Sequence, residues 1–119
     1  MLETYFYIKR LKFSILVTAL FFVLTHIPQE MIPPTLRKGG IDKLEHALAY
    51  GVITSLFLIS IRTSLTIRSA LLLLVAISVI GAFDEITQIF VGRTASVTDF
   101  IADIVGILCV LLLSAVIRL

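Results

Sequence analysis

Three groups of polar residues in this chain have the types and spacings of a chemical site. The first is Asp42-Lys43-Leu44-Glu45-His46-Ala47-Leu48-Ala49-Tyr50, in which Asp42, His46 and Tyr50 recur every fourth residue and so share one face of a helix. A carboxylate and an imidazole placed this way could share a metal ion, or form an acid/base pair in which Asp42 orients His46. The second is Asp84-Glu85-Ile86-Thr87-Gln88 with Gly92-Arg93 after it, and the third runs from Arg93 through Ser96, Thr98 and Asp99 to Asp103 and Gly106. Asp42, His46, Asp84, Glu85, Gln88 and Asp99 are the candidates for catalysis, and Lys43, Tyr50, Arg93 and Asp103 for holding a substrate. His46, Glu85 and Asp99 are the candidates for a metal. One imidazole with carboxylates suits Zn, Mn or Mg, and the residue types do not choose among them.

Plainer explanations compete with these. Asp42-x-x-Glu45 has the form of a helix N-terminal cap, and Ser96 or Thr98 can cap the next helix with Asp99 in its first turn. Capping does not account for His46. It also fails for Asp84 and Glu85, which close a long apolar run at the end where the helix dipole disfavours negative charge. Counted back from Gly92, they lie about 12 and 10 Å along the helix, deep enough to need compensation, which Arg93 could supply as a plain ion pair, or else a metal, a substrate cation or a shared proton. Asp84 and Gln88 share a face, whereas Glu85 points about 100° away, so the two adjacent acids are expected to do different work. Asp103, one turn beyond Asp99 and among Ile104, Val105 and Ile107, must be paired or neutral. Gly106 is expected to permit a close helix contact. A lone His26 before Pro28 is expected to be incidental.

The elements that carry these groups follow from composition. Of 119 residues 59% are apolar and 15% charged, and the mean hydropathy is +1.10. Such a chain suits lipid better than a small aqueous core, and a net charge of +2 offers nothing to nucleic acid. Four apolar stretches, approximately 11–27, 44–61, 67–90 and 100–117, approach the ~20 residues that cross a bilayer as helices. The expected fold is therefore all-α, a single-domain bundle of four transmembrane helices. Pro28, Pro33-Pro34 and Gly39-Gly40 break the first connection, and the two short later ones predict that spans two and three, and spans three and four, are neighbours.

Lys9, Arg10 and Lys12 before the first span, with Arg62, Arg68 and Arg118, outweigh Arg37, Lys38, Lys43 and Arg93 on the other side, which predicts an N-in, C-in orientation. No cleavage site follows the first apolar run, which reads as a retained signal anchor. Alternation of the spans brings all three polar groups, and every acid except Glu3, to the outer face. The single Cys109, among leucines and valine, is expected to be a small buried apolar residue.

Asp42-Lys43-x-x-His46-x-x-x-Tyr50, then Asp84-Glu85-x-x-Gln88-x-Phe90-x-Gly92-Arg93 and Asp99-x-x-x-Asp103-x-x-Gly106, resembles the VanZ-like family of small bacterial membrane proteins. The likeness covers about the last two thirds of the chain, and Thr25-His26-Ile27-Pro28 looks like that family's exit from its first helix. Asp103 stands where many members have Asn, and Val110 where a second Gly is common. The resemblance implies multi-pass placement in the bacterial cytoplasmic membrane and an envelope setting, the family being named for a protein linked to tolerance of the glycopeptide teicoplanin. It implies no reaction.

The leading expectation is an outward-facing site that acts on an amphiphilic envelope molecule, a lipid head group or a lipid-linked cell-wall precursor. Asp42, His46, Glu85 and Asp99 would supply the chemistry, with Lys43 or Arg93 steadying an anionic group. The alternative is a cup that binds lipid or drug, or serves as an adaptor, without reaction. A proton or ion pathway is disfavoured, because no acids line the inner halves of the spans. Four short helices around a polar cup also leave room for a homodimer.

Overall fold

The structure is a computed structural model that describes residues 1–36, 40–61 and 64–118. Four helices, α1 (Leu2–Thr25), α2 (Ile41–Ser60), α3 (Ile67–Thr87) and α4 (Val97–Arg118), make up the fold, and there is no strand among the described residues. The expected segments at Arg37, Lys38, Gly39 and Arg62 lie outside the described residues, as does the side chain of Arg118.

Local chemistry sets the helix ends. α1 begins nearer the N-terminus than its apolar run, so Lys9, Arg10 and Lys12 are helical, and it stops at Thr25 ahead of Pro28. Gly40, at φ 121°, is the residue before α2, and no side chain caps that end. The expected Asp42/Glu45 cap is therefore not formed, although Asp42 lies in the first turn, where the dipole favours it. Thr66 and Ser69 cap α3 reciprocally. The last turn of α3 tightens into a 3-10 helix, Gln88–Val91, which Gly92 ends in the left-handed region at φ 75°.

The largest helix interface joins α2 to α4, while α2 and α3, expected as a packed hairpin, touch only sparingly. Lys43 meets Asp99, His46 meets Asp103, and Gly51 faces Val110, a register that makes α2 and α4 parallel neighbours. Gly106 explains the preference. A Cβ there would collide with the carbonyl oxygen of Ala47, so the two backbones touch where a side chain would separate them. A short connection brings α2 and α3 together in sequence, but the small residues decide the packing.

Polarity is distributed the opposite way from that of a water-soluble protein. Leu58, Leu73, Ile77 and Ile107 form a thin apolar core, while His46, Asp84, Glu85, Gln88, Asp99 and Asp103 are buried together at one end. Large apolar side chains such as Leu16, Leu20, Leu72, Val79, Val105 and Leu112 cover the outside. Two segments, Ile67–Val91 and Val97–Ile117, are long and apolar enough to cross a membrane. The other two helices fall short of that measure, since Lys9, Arg10 and Lys12 interrupt α1 and Asp42, Lys43 and Glu45 interrupt α2. Cys109 is exposed on the apolar outer face of α4, which corrects the expectation that it is buried.

Candidate functional site

The C-terminal ends of α1 and α3 and the N-terminal ends of α2 and α4 meet at one end of the bundle, and the polar residues divide there into two arrangements. Asp84 belongs to the first. One of its oxygens accepts from the Thr25 hydroxyl at 2.6 Å, with His26 Nδ1 at 3.5 Å, and the other accepts from Gln88 Nε2 at 3.2 Å. His26 also reaches Thr87 Oγ1 through Nε2 at 2.9 Å, and its ring stacks on Phe22 at 4.0 Å. Arg93 donates to the Thr25 carbonyl at 2.8 Å and stands 3.9 Å from Asp42. The expectation that Arg93 compensates Asp84 or Glu85 is thus corrected: its guanidinium caps the open C-terminal end of α1 instead. Asp84 is 2% exposed, and neutral donors with one imidazole satisfy both its oxygens.

Glu85 faces the other way, as helical geometry requires. Its Oε2 accepts from the Ser96 backbone N–H at 2.9 Å, and its Oε1 lies 3.7 Å from His46 Nδ1. His46 Nδ1 donates to Asp103 Oδ1 at 2.8 Å. These three side chains are 4%, 5% and 0% exposed, from α3, α2 and α4 respectively. Gly81 makes room for them. A Cβ at that position would stand 3.1 Å from Asp103 Oδ2 and 3.3 Å from the buried ring of Tyr50. Glu85 Oε1 and Asp103 Oδ2 have no hydrogen-bond partner among the described residues. Buried carboxylate oxygens in that condition are costly, and costly groups are kept for function more often than for stability.

Nearer the surface, Lys43 Nζ pairs with Asp99 Oδ1 at 3.1 Å, and Ser96 Oγ accepts from the Asp99 N–H at 3.2 Å as a cap to α4. Two trios among the described residues bring possible metal-ligating atoms within 4.8 Å of one another: Asp42, His46 and Asp99, and His46, Glu85 and Asp103. The grouping expected from the sequence, His46 with Glu85 and Asp99, is not one of them. Asp99 groups with Asp42 and His46 instead, and Asp103 takes the place given to Asp99 beside Glu85.

A cavity of about 570 Å³ opens beside this assembly, between α1, the turns after it, and α2. Asp42, Glu45, His46, Asp84 and Arg93 form its polar end, and Phe21, Leu48, Val52, Ile53 and Ile80 contribute apolar wall. α1, which forms one wall of it, is tied to the other helices at two polar points, Thr25 and His26 at its C-terminal end and Ser14, whose hydroxyl lies 2.9 Å from that of Ser60, nearer its N-terminus. The substrate-holding role expected for Lys43 and Arg93 is qualified by these contacts, because both cations already face the protein's own oxygens.

Thr25 belongs to the site although its residue type did not mark it, His26 is part of it and not incidental, and Ser96, expected only as a cap, also gives its backbone N–H to Glu85. The signal in each case was positional, a polar residue at a helix terminus where the dipole and open backbone groups collect. Comparison with protein-family models, curated proteins and solved structures finds no match to this chain.

Proposed function

We propose that this chain is a four-span protein of the bacterial cytoplasmic membrane, of VanZ-like type, that binds an amphiphilic envelope molecule in the cavity between α1 and α2 and presents its head group to His46. The observation that carries the reading is the polarity of that cavity, acidic with one imidazole at one end and apolar along the rest of its wall. An apolar tail lies along Leu48, Val52 and Phe21 while the head group meets Asp42, His46 and Asp84. Since Lys43 and Arg93 are engaged by Asp99 and the Thr25 carbonyl, the acids dominate. They favour a head group that offers hydroxyl or amine donors, whether a membrane lipid or a lipid-linked wall precursor. His46 keeps Nδ1 on Asp103, which orients the ring and leaves Nε2 as the nitrogen for acid–base work on the ligand.

The test is lipid retention. The full chain, extracted in mild detergent and examined by native mass spectrometry, should carry a bound amphiphile that Leu48→Trp and Val52→Trp remove while the fold survives. A wild-type chain with no more bound lipid than those variants would sink the reading. The link to teicoplanin tolerance is separate: a deletion strain whose teicoplanin sensitivity is unchanged removes that link and leaves the cavity reading in place.

A binding-only version has one observation in its favour, since both oxygens of Asp84 are already occupied by the protein. Under it, His46→Gln retains the bound amphiphile and the cellular phenotype alike. Under the acid–base version the amphiphile stays and the phenotype is lost.

A further inference from the structure

We infer that His46 Nδ1, Glu85 and Asp103 form a buried binding site for one first-row divalent cation, Zn²⁺ or Mn²⁺. Charge and orphaned oxygens carry the argument together. Besides the exposed Glu45, five buried or partly buried carboxylates gather at this end of the bundle, Asp42, Asp84, Glu85, Asp99 and Asp103, and the structure distributes compensation among them unevenly. Asp84 has Thr25, Gln88 and His26; Asp99 has Lys43; Asp42 has Arg93 at 3.9 Å. Among the described residues Glu85 and Asp103 share only His46 as a cationic neighbour, and each keeps one buried oxygen without a partner there. Two carboxylates in a low-dielectric pocket with one imidazole between them are short of positive charge, and a divalent ion supplies it.

The geometry separates this trio from the shallower one. Asp42 and Asp99 already face Arg93 and Lys43, and Asp42 is partly exposed, so an ion there would compete with side-chain cations for the same oxygens. The deep trio has no such competitor. His46 Nδ1 lies 2.8 Å from Asp103 Oδ1 and 3.7 Å from Glu85 Oε1, and all ligand atoms lie within 4.8 Å of one another. Modest side-chain rotation therefore brings them to metal-bond lengths of about 2.0–2.2 Å. The ion would take the place of the proton now held between Nδ1 and Asp103, and binding releases that proton. The nitrogen ligand disfavours Ca²⁺, and the burial that the residue types did not disclose disfavours Mg²⁺, which keeps several of its own waters; Zn²⁺ and Mn²⁺ remain. The Ser96 N–H on Glu85 Oε2 fixes that carboxylate from behind, as outer partners of metal ligands do.

The experiment uses the full chain in detergent, stripped with a chelator and reloaded with Mn²⁺. We expect one tightly bound Mn²⁺ per chain, and in protein carrying ¹⁵N-labelled histidine an electron–nuclear coupling to a single imidazole nitrogen. That coupling stays in His26→Asn and vanishes in His46→Gln. Glu85→Gln and Asp103→Asn each weaken Mn²⁺ binding by about tenfold or more, whereas Asp42→Asn and Asp99→Asn leave it within about threefold. Absence of stoichiometric Mn²⁺, absence of the imidazole coupling in the wild-type chain, or equal losses in Asp42→Asn and Asp99→Asn would each overturn the site. An infrared carboxylic-acid band that persists at saturating Mn²⁺ and disappears in Glu85→Gln would also overturn it, by showing that a shared proton satisfies the pair. The wild-type spectrum decides the question even if the buried variants do not fold. A negative result leaves the amphiphile reading standing, because lipid retention is measured on the wild-type chain without added metal.

Discussion

Asp84 and Glu85 are neighbours in sequence with separate lives in the structure. The 100° step between successive helical residues sends Asp84 to the end of α1 and Glu85 to His46 on α2, a division already legible in the spacing. The donor on which Asp84 depends was not legible, because a threonine two helices away carries no mark of its partner. Thr25→Val removes a 2.6 Å hydrogen bond to a buried carboxylate and should cost about 1–3 kcal/mol of stability in detergent. Thr25→Ser, which keeps the hydroxyl, should stay close to wild type. A thermal-unfolding series in which both variants behave alike would mean that the methyl packing of Thr25, and not its hydroxyl, holds the end of α1.

For the helices themselves, the sequence disclosed their number, their class and the contact of α3 with α4, but not the larger pairing of α2 with α4. Apolar runs and proline breaks mark the helices well, because each depends on residues close together in the chain. Pairing depends on which backbones can approach, and Gly106 decides it against Ala47, a residue far away in sequence. The expected hairpin of α2 and α3 gave too much weight to a short connection. Two glycines of the same interface should therefore respond differently to alanine. Gly106→Ala forces α2 and α4 apart and should destabilise by about 1–3 kcal/mol. Gly51→Ala places its methyl at 3.6 Å from Val110 Cγ2, an ordinary contact, and should be neutral or slightly stabilising through better helix propensity. Melting temperatures of the two variants in one detergent test the contrast directly.

Across the whole molecule, polarity lies where a lipid surrounding would favour it. Apolar side chains coat the outside, and acids with histidines sit within. Cys109 provides a native probe of that arrangement. It is exposed on α4, about 18 Å along the helix from Val97, which is mid-bilayer if α4 spans. A thiol in hydrocarbon neither ionises nor meets water-soluble reagents. Membrane-impermeant maleimide should therefore leave Cys109 unlabelled in intact vesicles and in opened ones, and label it fully once detergent has denatured the chain. Prompt labelling in opened vesicles would place this face of α4 in water.

The parallel pairing of α2 with α4 also sets an order of assembly. A nascent chain that has delivered α1, α2 and α3 holds His46 and Glu85, but neither Asp103 nor the Ser96 N–H has yet emerged. The helix that receives Gly106 against its backbone is the second to be made, and the helix that carries Gly106 is the last. Until α4 is made, His46 lacks Asp103 and Glu85 lacks the Ser96 N–H, and α4 must then find α2, the earlier helix, as its main partner. Deleting or displacing α4 therefore leaves the buried His46 and Glu85 without those partners, although the helices that carry them are already made.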